Sequence, residues 1–561
     1  MFDGISCAST SGHAVYFLRS EDNTICKYED GHVDAIVSPE VDVDDSAILA
    51  DKKERLHFVQ REDEQRLVRY EDGEIEVLDS AEFIYLCDVS SDGSMILYTK
   101  PFENDFAMYC YEDGEINVWA ENTGLAWFGR DDELIARNTG VLQLGDESHV
   151  VVETMDGETI TRFGVEDDAK VFMKDWHPEE DKLLIERQGS QYDIGVYDVD
   201  DDRVSWLYSN ANVEAYAFNA AGEAVAVFDN DVMNQGGVMK PKLIDTKTGE
   251  IKKVPTVGDI EVRRVIFRSA DVAFDSGGFL AHGRRRGGQV DLVYFDEGGV
   301  EVLVEDEAGT SSDVEPEWVV FESFDWEDVE GWLWKAHDEP RPSVIYLHGG
   351  PFGRTSKYHA ESIIWRLVES GFHVLAVNYR GSTGQGERFR ELAVNDFGGD
   401  ERRDSVKAAT WLRDHGLVDG GIGLYGHSFG GYEVLMHLVE HGGVWDAGVA
   451  SAAPADLRGR NDLEGMFPNK EDDESFLASR SPIHRAGEID TPLLALHGED
   501  DRICPVDDMR AFTRALRGHS SLTDEEYQFE VFEDVGHVLQ GSDAEEKRDE
   551  LVVEFFSEHL I

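Results

Sequence analysis

The sequence predicts two domains of different class, an all-β amino-terminal domain built from repeats and an α/β carboxyl-terminal domain. The chain of 561 residues is too long for one typical domain. A short acidic motif recurs at regular intervals in the first half, whereas short strands alternate with longer helical segments in the second half. Between the halves, the segment DEAGTSSDVEP (residues 306–316) has the composition of an acidic linker.

The repeat in the first half predicts a β-propeller of about seven blades within residues 1–312. The tetrapeptide YEDG begins at Tyr28, Tyr70 and Tyr111, so its intervals are 42 and 41 residues. Weaker copies continue to about residue 304, and a second hairpin signal such as SSDGSMILYT lies between copies. Four short strands in a repeat of this length are typical of a propeller blade.

Unrelated antiparallel hairpins packed as sandwiches are the alternative interpretation of the first half. They would account for the strands and for the turn residues between them. They would not account for the constant period, and we therefore predict the propeller.

The second half, residues 313–561, predicts a parallel α/β sheet. Amphipathic helical segments such as ERRDSVKAATWLRDH follow and separate short apolar strands, and that alternation is typical of parallel sheets. The predicted strands are residues 344–348, 373–379, 421–427, 447–452, 492–498 and 528–534.

The charge of the chain predicts a protein adapted to a very salty cytoplasm. Asp and Glu number 117 against 51 Lys and Arg, a formal net charge of -66 that is spread along the chain. Self-repulsion of that size opposes folding unless salt screens it, and at ~1 M salt the screening length is about 3 Å. The same charge disfavours nucleic acid and anionic membranes as partners.

The start of the chain and its cysteines agree with a cytoplasmic location. The first residues, MFDGISCASTSGHAVYFLRS, lack the basic and then apolar segments of a signal peptide. The five cysteines are scattered and form no C-x-x-C pair, so neither a disulfide framework nor a zinc site is expected.

A serine in the second half has the sequence context of a nucleophile. GHSFG, from Gly426 to Gly430, matches G-x-S-x-G with Ser428 at its centre. An apolar strand precedes it and a helix follows, as in the nucleophile elbow of α/β-hydrolases. A helix that begins at the serine also offers free N–H groups and the positive end of its dipole to an oxyanion. Ser428 is therefore the predicted nucleophile of an α/β-hydrolase domain.

A serine hydroxyl needs a base within hydrogen-bond reach, and an acid that holds the base. In α/β-hydrolases the acid and then the histidine follow the serine in the chain. His537 is the predicted base, because it lies in a short loop between the last predicted strand and the last helix. His519, at the end of a helix, and His559, near the carboxyl terminus, have less suitable positions.

Two adjacent carboxylates are candidates for the acid. Asp500 and Asp501 follow a buried strand in the segment LHGEDDRICPV, residues 496–506. Either could orient a histidine, and the residue pattern by itself leaves the choice open.

Backbone N–H groups are predicted to stabilise the developing oxyanion. The segment YLHGGPFG gives a glycine-rich turn directly after a strand, so its N–H groups can approach a substrate closely. Gly350 and Phe429 are the predicted donors through their backbone N–H groups.

Other motifs give weaker signals. GSTGQGE (residues 381–387) lacks both the spacing of a dinucleotide loop and the lysine of a phosphate loop, and we interpret it as a turn that flanks the site. Glu179 and Glu180 could bind a substrate amine, but their place in a blade turn favours a solvent-facing position. No histidine and acid cluster has metal-ligand spacing, so no metal and no cofactor are predicted.

Together these motifs resemble the prolyl oligopeptidase family of serine peptidases, most closely its acylaminoacyl-peptidase-like branch. The resemblance covers about residues 316–540, and an amino-terminal propeller is also this family's architecture. The matching segments, in family order, are PEWVVFESFDWEDVEGWLW, YLHGGPFGR, VNYRGSTGQG, NDFGGDERRD, GLYGHSFGGY, SRSPIH, LHGEDDRICPV and DVGHVLQG.

The resemblance implies Ser428 as nucleophile, His537 as base and one aspartate of HGEDD as acid. Counting from His497, the family's acid falls four residues on, at Asp501, and Pro505 lies four residues further, as in the acylaminoacyl branch. The segment DDR, as in prolyl oligopeptidases proper, would select the preceding residue instead. The spacings to His497 and to Pro505 both favour Asp501, whereas only DDR favours Asp500, so Asp501 is the predicted acid.

Some residues depart from the family pattern. Prolyl oligopeptidases proper have a tyrosine that donates to the oxyanion at the position of His348. The acylaminoacyl branch has a histidine there, as this chain does. Phe429 replaces the tyrosine or asparagine often found after the serine. Ile503 stands where the branch often has an arginine that contacts substrate, next to Arg502, and the substrate-binding residues therefore stay open.

The resemblance implies a peptidase that acts on short peptides, because the family's propeller covers the active site and excludes folded proteins. A carboxylesterase or thioesterase with the same triad is the first alternative, and a non-catalytic propeller scaffold with a relict hydrolase domain is the second. The expected partners are short peptide substrates, without nucleic acid or membrane, and a homo-oligomer is left open.

Overall fold

The structure, a computed structural model, divides the described residues into two compact units. One unit lies within residues 1–309 and the other within residues 310–561. The predicted boundary between residues 312 and 313 falls in the segment 306–313, outside the described residues. The structure describes residues 5–11, 14–19, 22–61, 64–102, 105–121, 123–129, 131–139, 149–164, 170–188, 192–210, 213–219, 221–229, 240–255, 260–265, 278–285, 289–305, 314–357, 361–385, 387–458, 474–533, 535–537 and 542–561.

Within these residues, seven antiparallel sheets of four strands follow one another along the first unit. The first three blades are β1 (Ile5–Ser11), β2 (Ala14–Arg19), β3 (Thr24–Glu29), β4 (His32–Val37); β5 (Asp42–Ala50), β6 (Leu56–Arg61), β7 (Gln65–Glu71), β8 (Glu74–Ala81); and β9 (Tyr85–Val89), β10 (Met95–Phe102), β11 (Asp105–Glu112), β12 (Glu115–Glu121). The next two are β13 (Thr123–Phe128), β14 (Leu134–Thr139), β15 (Val150–Thr154), β16 (Thr159–Phe163); and β17 (Lys170–Trp176), β18 (Lys182–Gln188), β19 (Tyr192–Asp198), β20 (Arg203–Asn210). The last two are β21 (Val213–Phe218), β22 (Ala224–Asp229), β23 (Lys240–Asp245), β24 (Ile251–Lys253); and β25 (Ile260–Val265), β26 (Phe279–Arg285), β27 (Val290–Asp296), β28 (Gly299–Val304).

The YEDG repeat forms the same hairpin turn in the first three blades. Asp30, Asp72 and Asp113 have φ of 51°, 51° and 49°, and the glycine after each has φ between 81° and 91°. Two positive φ values in a two-residue loop define the turn that matches the twist of paired strands, and Asp-Gly is a preferred sequence for it. The repeat therefore marks the turn between the third and fourth strands of a blade.

Apolar packing between the first and last blades closes the ring. Val15 and Phe17 of β2 are buried in one cluster with Leu280 of β26 and Leu292 of β27. Each blade takes its four strands from one continuous segment of the chain. The first and last blades are therefore joined here by packed side chains rather than by strands of a shared sheet. The predicted seven-bladed propeller is thereby confirmed.

Buried aspartates link neighbouring blades at the repeat distance. Asp88 of β9 accepts the backbone N–H of Phe128 in the next blade, at 2.7 Å, and Asp175 of β17 accepts that of Phe218, at 2.9 Å. The partners are 40 and 43 residues apart, one repeat in each case. The same two carboxylates also accept the N–H of the residue that follows them.

The second unit is built on one sheet of eight strands in the order β29-β30-β32-β31-β33-β34-β35-β36. The strands from β31 to β36 are parallel, and β29 and β30 add an antiparallel hairpin at one edge. Their bounds are β29 (Glu317–Glu322), β30 (Asp328–Trp334), β31 (Arg341–Leu347), β32 (His373–Asn378), β33 (Val418–His427), β34 (Ala447–Ser451), β35 (Leu493–Gly498) and β36 (Tyr527–Phe532).

Helices cover both faces of this sheet. Ile345 and Leu347 of β31 pack with one apolar cluster, whereas Val344 and Tyr346 pack with another, because successive side chains of a strand point to opposite faces. The helices are α1 (Ser362–Glu369), α2 (Glu387–Glu391), α3 (Glu401–Asp414), α4 (Phe429–His441), α5 (Glu474–Ser479), α6 (Val506–His519) and α7 (Ser542–Leu560), with 3₁₀ turns at Gly442–Val444 and Pro482–Glu488. In the described part of the chain, none of the helices has the length and apolar character that crossing a bilayer requires.

All six strands predicted for this half are present, and the α/β-hydrolase class is confirmed. The strand prediction omitted the β29–β30 hairpin. A buried ion network anchors the turn of that hairpin, since Arg380, 3% exposed, lies 3.0 Å from Asp325 in the turn and 2.8 Å from Asp404 of α3.

We expect Asp88→Ala to lower the free energy of unfolding of the propeller by about 1–3 kcal/mol, because two buried N–H groups lose their acceptor. Denaturant unfolding followed by tryptophan fluorescence measures the change. Asp200→Ala, at an exposed turn position, is the matched control and should leave the midpoint near that of the parent chain. An Asp88 variant as stable as the parent would contradict the proposed link between blades.

Candidate active site

Ser428 lies at the sharp turn between β33 and α4. Its backbone has φ of 57° and ψ of -121°, a conformation that costs a non-glycine residue free energy. Its N–H donates to the carbonyl of Ser451 at 2.8 Å, and its carbonyl accepts the N–H of Tyr432 at 3.0 Å. These bonds tie the serine to β34 on one side and to the first turn of α4 on the other.

Glycines next to the serine allow this turn. A Cβ atom at Gly430 would lie 2.0 Å from the carbonyl oxygen of Leu347, and one at Gly426 would lie 2.2 Å from the carbonyl oxygen of Gly430. Backbone atoms cannot move aside as a flexible side chain can. The glycines of G-x-S-x-G are therefore required by close backbone approach at the elbow.

Hydrogen bonds connect Ser428, His537 and Asp501 in one chain. The Oγ atom of Ser428 lies 2.9 Å from Nε2 of His537, and Nδ1 of His537 lies 2.8 Å from Oδ2 of Asp501. A carboxylate only accepts, so Nδ1 of the imidazole carries the proton and donates it. That tautomer leaves Nε2 free to accept the hydroxyl proton of the serine.

The Asp501 carboxylate is buried, 5% exposed, and saturated with donors. Its Oδ1 atom accepts the backbone N–H groups of Ile503, at 2.9 Å, and Cys504, at 2.7 Å. Burial by itself raises the pKa of this carboxyl group, but the hydrogen bonds from His497, His537 and Cys504 outweigh burial and hold the pKa well below its ordinary value. The group therefore stays ionised across the neutral range.

Asp500 points elsewhere. It is exposed, and its backbone N–H donates to the carbonyl of Val535 at 3.0 Å. Of the two adjacent carboxylates, the one that contacts His537 is thus Asp501.

A glycine lets the loop of His537 approach the acid. A Cβ atom at Gly498 would lie 2.3 Å from the carbonyl oxygens of Val535 and Gly536. Any other residue at the end of β35 would push this loop away. The glycine of the LHGEDD segment therefore brings the histidine within reach of Asp501.

The predicted oxyanion donors lie on two turns that adjoin the serine. Phe429 begins α4 directly after Ser428, and its ring packs edge-on against Phe397 at 5.5 Å. Gly350 follows β31 with φ of 86°. A Cβ atom at the neighbouring Gly349 would lie 3.3 Å from Cβ of Ser428, so the glycine-rich turn lies directly against this serine.

The side chain of His348 is fixed within the fold. Its Nε2 atom lies 2.7 Å from Oγ of Ser382, and its ring stacks on Tyr379 with centroids 4.3 Å apart. Burial lowers the pKa of His348 to about 4, so the imidazole is neutral at neutral pH.

Sequence reasoning missed two histidines that surround the triad. The His427 ring lies 5.2 Å from that of His537, and its Nδ1 atom lies 3.1 Å from Oγ of Ser451. Burial, the neighbouring His537 and the positive charge of Arg548 lower the pKa of His427 to about 3. His427 occupies the variable position of G-x-S-x-G, which carries no chemical signal. His497 served only as an anchor for counting, although it contacts Asp501.

The other candidates lie apart from this cluster. His519 is exposed at the end of α6, and His559 packs on Phe555 within α7 at 4.5 Å. Glu179 and Glu180 are exposed in a propeller turn, as predicted, and Glu180 pairs with a lysine two residues on. Ile503 is 59% exposed. In the described part of the chain, no group of three His, Cys, Asp or Glu side chains could hold a metal ion.

Residues 358–561 match the family model described as the prolyl oligopeptidase family. The carboxyl-terminal domain is thus similar to the prolyl oligopeptidase family over these residues. The chain is 31% identical over 225 residues to dipeptidyl-peptidase 5 of Porphyromonas gingivalis, and this alignment covers 36% of this chain and 31% of that protein. It is 28% identical over 198 residues to acylamino-acid-releasing enzyme 1 of Oryza sativa subsp. japonica, covering 32% and 25%. The chain thus matches only about a quarter to a third of the length of these relatives.

The fold of the whole chain is similar to that of solved members of the peptidase group. A puromycin-hydrolyzing peptidase of Mycobacterium tuberculosis superposes with a TM-score of 0.81 at 19% identity, over 99% of this chain and 94% of that one. At that identity the likeness shows the architecture, a seven-bladed propeller and an α/β-hydrolase domain. The names of the dipeptidyl-peptidase and of the acylamino-acid-releasing enzyme differ in substrate, so similarity to both does not select one substrate for this chain.

We expect Asp501→Asn to lower turnover of an aryl ester by about 10³-fold or more, because an amide donates to Nδ1 and selects the wrong tautomer of His537. Steady-state kinetics measures the loss, with circular dichroism as the test of folding. Asp500→Asn is the matched control, one residue away and exposed, and should keep the parent rate. The reverse result, with Asp500→Asn inactive and Asp501→Asn active, would contradict the choice of Asp501 and identify Asp500 as the acid.

Proposed function

We propose that the chain is a serine peptidase that hydrolyses short peptides through an acyl-enzyme on Ser428. The single observation that carries this proposal is the hydrogen-bonded chain of Ser428, His537 and Asp501 at the elbow. The match of residues 358–561 to the prolyl oligopeptidase family model supports the same reaction class.

In the proposed first step, His537 removes the proton of Ser428 as the oxygen attacks the scissile carbonyl carbon. The imidazolium that forms lies against the ionised Asp501, which stabilises its charge. The backbone N–H groups of Gly350 and Phe429 receive the negative oxygen of the tetrahedral intermediate. The base then gives its proton to the leaving amine, and the C–N bond breaks to leave an ester on the serine.

In the proposed second step, water replaces the amine. His537 removes a proton from water, the hydroxide oxygen attacks the ester carbonyl carbon, and the serine leaves with a proton returned by the same histidine. The cycle needs only the residues already described, each used in both steps.

The choice of short peptides rests on the relatives. Dipeptidyl-peptidase 5 and the acylamino-acid-releasing enzyme are named for dipeptidyl and acylamino-acid units, which are small. We extend that substrate class, and not one member of it, to this chain. A carboxylesterase or thioesterase would use the same triad, and the ratio of arylamide to aryl-ester turnover separates it from a peptidase.

We expect Ser428→Ala to abolish turnover of an acyl-aminoacyl or dipeptidyl arylamide and labelling by a fluorophosphonate, while the fold survives. The hydroxyl is the proposed nucleophile, and its removal eliminates the acyl-enzyme. Ser479→Ala, at an exposed serine that ends α5, is the matched control and should react as the parent does. Turnover that persists in Ser428→Ala would exclude the mechanism.

We also propose that the protein works in a cytoplasm of high salt, where the formal charge of -66 is screened. The acidic turns of the propeller, such as the exposed Asp72 and Asp113, hold like charges that repel one another at long range. The same charge makes nucleic acid and anionic membranes unfavourable partners.

We expect the protein to lose its circular dichroism signal on dialysis from about 1 M to about 0.01 M salt, since the screening length rises from about 3 Å to about 30 Å. Sodium and potassium chloride at equal ionic strength should protect the fold equally if screening is the cause. An unchanged spectrum at low salt would refute the proposed adaptation.

A further inference from the structure

His497 lies directly behind the acid of the proposed triad. It is the residue before the last in β35 and is fully buried, with 0% exposure. Its Nε2 atom lies 2.6 Å from the carbonyl oxygen of Cys504 and 3.3 Å from Oδ2 of Asp501. The oxygen that accepts from His537 is therefore also the one that His497 approaches.

The identity of these neighbours determines where His497 carries its proton. A carbonyl oxygen and a carboxylate oxygen both only accept, so Nε2 between them must be the donor. Its N–H group donates to the carbonyl of Cys504 at 2.6 Å and lies 3.3 Å from the carboxylate oxygen of Asp501. In the described part of the chain, no hydrogen-bond partner reaches Nδ1 of His497. A second proton there would be a buried donor without an acceptor, so the imidazole with a single proton on Nε2 fits this site.

The same contacts close the turn that holds the acid. Ile503 and Cys504 donate their backbone N–H groups to Oδ1 of Asp501, while the carbonyl of Cys504 accepts from His497. The imidazole of His497 thus binds the carbonyl of Cys504 in this turn and lies against Oδ2 of Asp501. Rotation of the carboxylate away from His537 would break the bonds of Ile503 and Cys504 at Oδ1 and would move Oδ2 away from His497.

We infer that His497 is a positioning residue, whose Nε2–H group fixes the Asp501 carboxylate that orients His537 and shares the charge of that carboxylate. The inference rests on the proposed function, because it assigns a role within the proposed triad. His497 does not touch the serine, and it acts on the reaction only through the acid.

Two effects distinguish this role from simple packing. Loss of the donor frees the carboxylate to rotate, which lowers turnover. Loss of the donor also leaves the whole charge of Oδ2 to the imidazolium of His537, which stabilises the protonated and inactive base. The acid limb of the pH–rate profile therefore moves to higher pH. A residue that merely fills space would not move that limb.

Charged and titratable groups close to the proposed triad lie in β33, in β35, in the turn after β35 and in α7. His427 ends β33, His497 lies in β35, Asp501 follows β35, and Arg548 is in α7. Of these, the Asp501 carboxylate is the negative charge, and burial lowers the pKa of His427 so far that it stays neutral through the acid limb. A shift of that limb in a His497 variant thus reports the interaction with Asp501.

The test compares His497→Phe, which fills the space without a donor, with His497→Gln, whose amide N–H reaches the place of Nε2. The pH–rate profile of kcat/KM for an aryl ester is measured in high salt, with circular dichroism as the check of folding. For His497→Phe we expect kcat/KM to fall about tenfold or more, as for loss of a hydrogen bond to a charged group. We expect its acid limb to rise by about half a pH unit or more. His497→Gln should recover both toward the parent values.

If His497→Phe does not fold, His497→Asn replaces it, since its shorter amide occupies the place of Nδ1 and leaves Cys504 and Asp501 without the donor. A folded Phe or Asn variant with the acid limb of the parent overturns the inference. So does a Gln variant as impaired as the Phe variant. Fluorophosphonate labelling of the parent separates the two levels: an unlabelled parent overturns the proposed function, whereas a labelled parent with unmoved variants overturns the role of His497 alone.

Discussion

The register of one parallel sheet sets the geometry on which the rest of the candidate site depends. The residues of the triad come from three turns that are far apart in the chain, 109 and 36 residues for the two contacts. Backbone hydrogen bonds join these turns in series, from Ser428 to Ser451, from Ala452 to Leu496 and from Glu499 to Phe532, each at 2.8 Å. Because every turn follows the carboxyl end of a strand, one shared edge fixes all of them, and a register slip in one strand would separate base from acid.

Local signals in the sequence carried much of the fold and of the site. The repeat of about 42 residues predicted the blades because the YEDG motifs form one identical turn and weaker copies continue to about residue 304, and G-x-S-x-G indicated Ser428 because close backbone contact requires its glycines. The hairpin β29–β30 went unpredicted, since its strands mix charged and apolar residues and lack a following helix. Asp500 and Asp501 differ only in the direction of their side chains, which tertiary packing decides.

Two further imidazoles, those of His348 and His427, belong to the candidate site, and their low pKa values make them poor substitutes for the proposed base. Burial lowers the pKa of His348 to about 4 and that of His427 to about 3, so both are neutral where a histidine base would titrate. They serve instead as neutral polar groups, with His348 bound to Ser382 and His427 bound to Ser451. Because their pKa values depend on burial by the surrounding fold, no short sequence motif predicts them.

The backbone conformation of Ser428 connects reactivity to the tolerance of the fold for mutation. A φ of 57° with a ψ of -121° is one that glycine adopts freely and that costs serine about 1–3 kcal/mol. Replacement of this serine by glycine would release that strain, so the inactive protein would be the more stable one. Selection for stability alone would therefore remove the nucleophile, and its persistence in the chain has to be maintained by selection for the reaction.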